Sequence, residues 1–256
     1  MRILDAHAHL GTWGDFFLPQ PGADWFVAAL ESAEVEAAGV SHLLGVGHDA
    51  LTGNQLALDA ARRHPGRLYV WLVFSPHDPD ALPRLRDQLD EPGVWGIKIH
   101  PDTHQVRLDD PAYEPVLTLS SGAGVPVLTH TQGLSPWSDP SLAAVVADRH
   151  PAPLLMGHGG LWPDHLLPTA RLAAARDNLY VETASSRLTR HWLTRVVAEA
   201  GADKVLYGSD AVFLDPRTAI GRLRTAHLTD QERAQVAGGN LARILGHRLP
   251  LEGTRQ

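Results

Sequence analysis

The chain contains no cysteine among its 256 residues. This absence excludes disulfide bonds, thiolate catalysis, and zinc or iron–sulfur sites built from cysteine ligands. Histidine, by contrast, occurs 15 times. Any transition-metal site in this protein would therefore use imidazole and carboxylate ligands.

Excess positive charge and long apolar segments are missing as well. The 22 lysines and arginines are outnumbered by 29 acidic residues, which gives a net charge of −7 and argues against nucleic acid or an anionic membrane as a partner. No run approaches the roughly 18 apolar residues of a membrane span, and Arg2 and Asp5 flank only a short apolar stretch, unlike a signal peptide. We expect a cytoplasmic protein that acts on a small molecule, with a homodimer as the default assembly.

No linker rich in proline, glycine or serine divides the sequence, so we expect one domain over residues 1–256. Short apolar runs alternate with amphipathic segments along its whole length. The predicted strands are Arg2–His9, Val40–Gly47, Leu68–Ser75, Val94–His100, Val125–His130, Leu154–His158, Asn178–Ala184 and Lys204–Ser209. The predicted helices are Ala23–Ala38, Gly53–His64, Asp80–Leu89, Ala112–Gly122, Pro140–Arg149, Leu166–Arg176, Arg190–Ala200 and Pro216–Ala226, then one or two terminal helices in Asp230–Leu245.

Eight strand–helix alternations in about 250 residues predict an α/β fold of the (β/α)8 TIM-barrel type with extra C-terminal helices. An open, doubly wound sheet is the alternative. In such barrels the catalytic residues lie at the C-terminal ends of the strands.

The first predicted strand ends in Asp5-Ala6-His7-Ala8-His9. Alternate side chains of a strand share one face, so Asp5, His7 and His9 should point the same way. This spacing lets two imidazoles bind one metal ion together, and it would not place them on one face of a helix.

Other predicted strands also end in polar side chains. In the fourth strand, Ile97 and Ile99 should pack against helices, which turns Lys98 and His100 toward the barrel axis. A central strand has little use for a buried charge, so this parity favours function. The strand-end residues are His7, His9, Lys98, His100, His130, His158, Glu182 and Asp210.

Six short motifs follow one another along the chain. They are Asp5-x-His7-x-His9, Gly96-Ile97-Lys98-Ile99-His100-Pro101, Thr129-His130, Gly157-His158-Gly159-Gly160, Gly208-Ser209-Asp210 and Gly239-Asn240-Leu241-Ala242-Arg243. In this order and spacing, the sequence resembles the amidohydrolase superfamily. It is most similar to the amidohydrolase-related branch, which contains metal-dependent hydrolases and decarboxylases of aromatic or muconate-type acids.

The resemblance implies a metal-centred active site at the barrel mouth. By position, His7, His9, His130 and Asp210 correspond to ligands of a divalent ion, zinc or another metal such as Mn²⁺. Asp210 would also take a proton from the bound water, and His158 would act as general acid/base or as electrophile.

Lys98 and His100 leave two alternatives open. In binuclear relatives a fourth-strand lysine is carbamylated and bridges two metals, and His130 and His158 would then bind the second ion. The form Lys-x-His-Pro favours the other alternative, in which one ion is bound and an unmodified Lys98 holds a substrate carboxylate. His100 would then line the pocket.

Aromatic residues follow several predicted strands. Trp13, Trp137 and Trp162 are expected around the mouth, where they would suit a planar or apolar substrate, although such rings could also simply cover the barrel end. Arg187 could bind a carboxylate through two hydrogen bonds, or cap a helix.

These observations predict a metal-dependent hydrolase of an amide, lactone or ester-like bond. A decarboxylase of an aromatic or unsaturated acid is the alternative on the same scaffold. A phosphodiesterase of the TatD type shares the first motif, but the acidic net charge and the lack of a basic groove argue against it. A binding protein without turnover is the remaining hypothesis.

Overall fold

The computed structural model describes residues 1–18 and 22–249, and its centre is a sheet of eight parallel strands. Each strand pairs with the next one along the chain. The strands are β1 (Leu4–Leu10), β2 (Ala37–His42), β3 (Leu68–Val73), β4 (Val94–Ile99), β5 (Val127–His130), β6 (Leu154–Gly157), β7 (Leu179–Glu182) and β8 (Val205–Leu206).

The last strand returns to the first and closes the sheet. The Ala6 N–H donates to the Tyr207 carbonyl at 2.9 Å, and the Asp210 N–H donates to the His7 carbonyl at 2.9 Å. In an open sheet with this strand order, β1 and β8 would lie at opposite edges. The barrel prediction is therefore confirmed, and the doubly wound alternative is excluded.

Helices follow the strands, and most of them cover the outside of the barrel. They are α1 (Ala23–Ser32), α2 (Leu43–Gly47), α3 (Ala50–Arg63), α4 (Ala81–Gln88), α5 (Pro101–His104), α6 (Glu114–Ala123), α7 (Pro140–Arg149), α8 (Pro163–Ala174), α9 (Arg190–Ala200), α10 (Pro216–Thr225), α11 (Asp230–Ala234) and α12 (Asn240–Leu245). A π-helical turn over Gln235–Gly239 joins the last two into the predicted terminal helical segment. Within 1–18 and 22–249, no helix is both long and apolar enough to cross a membrane.

Two predicted boundaries around β2 were wrong. The first helix stops at Ser32 rather than Ala38, because Glu34 adopts a left-handed conformation (φ 59°) that ends it. The predicted strand Val40–Gly47 is a strand only as far as His42, and its second half is the helix α2. The Leu44 N–H donates to Nδ1 of His42, which caps this helix in a way that an apolar run does not reveal.

Large aromatic side chains fill the N-terminal half of the barrel interior. Trp71 and Trp95 are fully buried there, and the Trp71 indole N–H donates to the Ala6 carbonyl at 2.9 Å. Leu241 and Leu245 of α12 belong to the same cluster. Because these side chains fill the N-terminal half of the barrel, the remaining interior space is at the C-terminal ends of the strands.

Gly39 of β2 makes room for the two indoles. A Cβ at this position would lie 2.7 Å from Cζ3 of Trp95, too close for any real contact.

We expect Gly39→Ala to lower the free energy of unfolding by about 1–3 kcal/mol through overpacking. Urea denaturation measures this change. Gly221→Ala in α10 is the matched control, since nothing lies within 4 Å of its Cβ, and it should stabilise the helix by about 0.5–1 kcal/mol. Equal effects of the two variants would contradict the tight packing at Gly39.

A β-bulge in β1 changes which residues face the axis. The pairing register with β2 shifts between Asp5 and Ala8. Leu4 and Ala6 pack with Trp71 and Trp95 inside the barrel (the inner cluster), whereas Ala8 packs with the residues between the strands and the helices (the outer cluster). The prediction that Asp5 shares a face with His7 and His9 was therefore wrong, because the bulge reverses the alternation between them.

Candidate active site

A cavity of about 300 Å³ opens at the C-terminal ends of the strands. It combines a polar wall of strand-end residues with an apolar wall from the loops and the short helix α2 that follow the strands. The polar wall consists of His7, His9, Lys98, His100, His130, His158 and Asp210, and Ser186 of the segment after β7 also lines the cavity. The apolar wall consists of Trp13, Phe16, Leu43, Val46, Leu161, Phe213 and Leu214.

Five imidazoles form a continuous row along the polar wall. In the order His9, His7, His158, His130, His100, neighbouring ring centroids are 5.0, 4.8, 4.7 and 4.1 Å apart. Burial lowers the pKa of the last four rings in this row below the usual value for histidine. They are therefore neutral at neutral pH, which is the state that binds a metal or accepts a proton.

The two histidines of β1 are held through their Nδ1 atoms. Nδ1 of His7 lies 2.7 Å from the buried carboxylate of Glu182, and Nδ1 of His9 lies 3.0 Å from the Ser41 hydroxyl. A hydrogen bond at one ring nitrogen leaves the other available as a ligand. Both imidazoles thus present Nε2 to the cavity.

Asp210 lies beside these rings on the segment that follows β8. Its backbone is left-handed (φ 60°), and its carboxylate Oδ1 is 3.4 Å from Nε2 of His9. The preceding residue, Ser209, donates from both its N–H and its hydroxyl to the buried carboxylate of Asp5. Asp5 therefore anchors the segment that carries Asp210 and does not itself face the cavity. Burial raises the pKa of Asp5 to about 7.

The donor set fits a divalent metal ion. One ligand atom from each of His7, His9 and Asp210 lies within 4.8 Å of the others. Two imidazole nitrogens and a carboxylate oxygen, with both rings oriented by hydrogen bonds from behind, are typical of a metal site that keeps an open position.

His130 lines the same cavity but stands apart from this group of three. Its ring stacks on His100 at an interplanar angle of 17°, and its Nε2 lies 3.7 Å from the Asp102 carboxylate. The predicted role of His130 as a ligand stays a prediction.

Lys98 is fully buried in the cavity floor, and its ammonium donates to Nε2 of His7 at 3.0 Å. The lone pair on Nε2 of His7 that accepts this hydrogen bond is the one that His7 would give to a metal. Burial lowers the pKa of Lys98 to about 8, against the opposing attraction of Glu182 and Asp210. The inward direction of Lys98 and His100 agrees with the parity of the sequence, since Ile97 and Ile99 pack in the outer cluster.

His158 and His100 line the cavity in opposite tautomers. Nδ1 of His158 donates to the Ala184 carbonyl, so the neutral ring has an unprotonated Nε2. Nδ1 of His100 accepts from the Thr103 N–H at 3.3 Å, so its proton resides on Nε2. The site therefore contains one imidazole that can accept a proton and one that can donate a hydrogen bond.

Among the four loop residues predicted to contact substrate, the structure places Trp13 in the cavity wall. Trp137 and Trp162 lie outside that wall, both partly buried. Arg187 is exposed, and its guanidinium stacks over the Trp162 ring at 4.1 Å.

The structure gives roles to two residues that sequence reasoning left without one. Glu182 was recognised as a strand-end acid, but its contact with His7 joins residues 175 positions apart. The Ser41 hydroxyl contacts His9 from near the C-terminal end of β2, whereas the predicted strand Val40–Gly47 placed Ser41 near its beginning.

Several solved structures share this fold. One is 5-carboxyvanillate decarboxylase from Sphingomonas paucimobilis, with a TM-score of 0.72 and 18% identity over 95% of this chain and 98% of that one. A second is a dihydroxybenzoic acid decarboxylase from Polaromonas with bound manganese and 2-nitroresorcinol, with a TM-score of 0.75 and 16% identity over 98% and 99%. A third is a probable 2-pyrone-4,6-dicarboxylic acid hydrolase from Acinetobacter baumannii, with a TM-score of 0.71 and 16% identity over 96% and 100%.

Comparison with curated proteins gave no match by sequence. The family model for amidohydrolases, however, matches residues 4–247, which include every strand of the barrel and all the polar residues of the cavity. The resemblance seen in the ordered motifs is thereby confirmed, and this chain is a member of the amidohydrolase family of enzymes.

Proposed function

We propose that this protein is a metal-dependent hydrolase that cleaves an amide, lactone or ester-like bond of a small molecule. The observation that carries the proposal is the pairing of a three-residue ligand group with two neutral imidazoles of opposite tautomer in one cavity. Hydrolysis needs both a proton acceptor for water and a hydrogen-bond donor for the carbonyl oxygen.

His7, His9 and Asp210 would hold one divalent ion, with His130 as the expected fourth ligand. When bound, the ion supplies Lewis-acid polarisation of the carbonyl and a lowered pKa for water. The nitrogen-rich donor set favours zinc, and Mn²⁺ is the alternative. Lys98 is proposed to be an unmodified lysine.

His158 and His100 would perform the proton chemistry. Nε2 of His158, or the Asp210 carboxylate, accepts a proton as water adds to the carbonyl carbon. The Nε2–H of His100 donates a hydrogen bond to the carbonyl oxygen as negative charge develops there. The carbon–nitrogen or carbon–oxygen bond then breaks, and the protonated group returns its proton to the leaving atom.

The cavity favours a small, flat and largely apolar substrate. Its apolar wall includes Trp13, Phe16 and Phe213, and its volume of about 300 Å³ suits one ring with short substituents. Lys98 supplies an ammonium for one substrate carboxylate. Arg187, held over Trp162 outside the wall, is assigned to the rim.

Decarboxylation of an aromatic or unsaturated acid is the second candidate. It is favoured by the buried ammonium beside an aromatic wall, and by structural neighbours described as decarboxylases of aromatic acids. In that reaction the proton held in the site would be delivered to carbon, and carbon dioxide would leave.

Turnover in H₂¹⁸O separates the two reactions. The metal-loaded enzyme is given aryl lactones, aryl amides and hydroxybenzoic acids, and the products are analysed by mass spectrometry. We expect one ¹⁸O atom in the carboxylate of a ring-opened or cleaved product, with no carbon dioxide released. Stoichiometric carbon dioxide, with no ¹⁸O in the retained product, would contradict hydrolysis and support decarboxylation.

A further inference from the structure

We infer that Glu182 is a positioning residue that ties the metal-ligand histidine of β1 to the acid/base histidine after β6. One buried carboxylate at the end of β7 would thereby set the orientation of both His7 and His158. The functional part of this inference rests on the roles proposed above for the two histidines.

The carboxylate of Glu182 is fully buried and accepts three hydrogen bonds. Its Oε2 receives Nδ1–H of His7 at 2.7 Å and the backbone N–H of His158 at 3.2 Å. Its Oε1 receives the backbone N–H of Ala184. Burial raises the pKa of Glu182, and the two backbone N–H groups oppose this shift by stabilising the ionised carboxylate. All three partners are donors, so they match a carboxylate better than any neutral side chain of similar size.

The His158 side of this contact is under conformational constraint. His158 adopts a left-handed backbone (φ 66°), and its N–H would have no acceptor in this buried position without Glu182. The ring of His158 donates to the Ala184 carbonyl, and Ala184 is held by the same carboxylate. Glu182 thus acts on His158 twice, through its backbone and through the acceptor of its ring.

Gly208 provides the space that the carboxylate occupies. A Cβ on Gly208 would lie 2.7 Å from Cδ of Glu182 and 3.1 Å from Cβ of His7. Gly208→Ala would therefore displace the Glu182 carboxylate without changing its charge, which gives a second, independent way to disturb the same contact.

The test compares wild type, Glu182→Gln and Gly208→Ala, with Glu199→Gln on the surface of α9 as the matched control. In either orientation of its side-chain amide, a glutamine would point its NH₂ group at a hydrogen-bond donor, either Nδ1–H of His7 or a backbone N–H, and one of the three hydrogen bonds would be lost. Histidine tautomers are read from ¹⁵N spectra of the metal-free proteins, and metal affinity is measured by competition with a chelator. The rate is then measured at saturating metal.

For Glu182→Gln we expect altered ¹⁵N signals of both His7 and His158, and a loss of metal affinity of about 10–100-fold. At saturating metal, kcat should remain lower by about tenfold or more, because His158 is still misplaced. Gly208→Ala should shift the same two signals, and Glu199→Gln should shift neither.

Unchanged tautomers in Glu182→Gln would overturn the inference. Full recovery of kcat at saturating metal would overturn the link to His158. The ¹⁵N spectra are recorded on metal-free protein, so they test the positioning role by themselves. If the wild-type protein bound no metal, the proposed function would be refuted, but the test of the positioning role would still stand.

Discussion

Replacing His7 by alanine or Asp210 by asparagine is expected to remove the bound metal and nearly all activity. His7→Ala removes one of the three ligand atoms that converge on the proposed metal position, and Asp210→Asn replaces the charged carboxylate there by a neutral amide, which is a much weaker ligand. We expect metal affinity to fall by at least about 100-fold, beyond the usual effect of supporting residues. The rate should fall by at least about a thousandfold, since the ion contributes several kcal/mol to the transition state.

The two substitutions differ in their structural risk. His7→Ala leaves the Glu182 carboxylate with one donor fewer in a buried position. Asp210→Asn keeps a residue that tolerates the left-handed backbone at this position (φ 60°). Circular dichroism and thermal unfolding check the fold, and His191→Ala on the exposed face of α9 is the control. Full metal content in both folded variants would refute the site.

His158→Asn is expected to keep the metal and lose turnover. The residue lies outside the three-residue ligand group, while its Nε2 is the free proton acceptor in the cavity. Loss of a general acid/base costs about 10²–10⁴ in kcat. Asparagine tolerates a positive φ, so the turn after β6 should be preserved.

Metal content and kcat of this variant are measured on the same preparation. An unchanged rate would exclude His158 as the acid/base group. Loss of the ion from a folded His158→Asn protein would instead make His158 a ligand, and would favour a binuclear site with a carbamylated Lys98. Thr194→Ala on α9 is a control distant from the cavity.

Much of the fold was predictable because a parallel barrel repeats a simple pattern. Buried strands such as Leu68–Val73 are continuous apolar runs, and each is followed by an amphipathic helix. The boundary at His42 was not predictable, since the change from strand to helix depends on an imidazole capping a backbone N–H within one apolar run. The bulge in β1 likewise depends on pairing with β2, which the sequence of β1 alone does not contain.

The residues of the candidate site could be predicted from the sequence where they stand at the C-terminal ends of the predicted strands. His7, His9, Lys98, His100, His130, His158 and Asp210 all line one cavity. The contacts that orient these imidazoles could not be predicted. Glu182 and Ser41 reach Nδ1 of His7 and of His9 only because closure of the barrel brings distant strands together. Loop residues were hardest to place. Trp137 and Trp162 follow β5 and β6, as predicted, but they are not among the residues that line the cavity.

The central claim is that His7, His9 and Asp210 bind a divalent ion at the barrel mouth. Anomalous diffraction from crystals of the full chain, grown with Zn²⁺ or Mn²⁺ and recorded at the metal edge, tests it most directly. We predict a single anomalous peak between Nε2 of His7, Nε2 of His9 and the Asp210 carboxylate, with Lys98 unmodified. Absence of a peak among these three residues, or two peaks bridged by a carbamate on Lys98, would contradict the account.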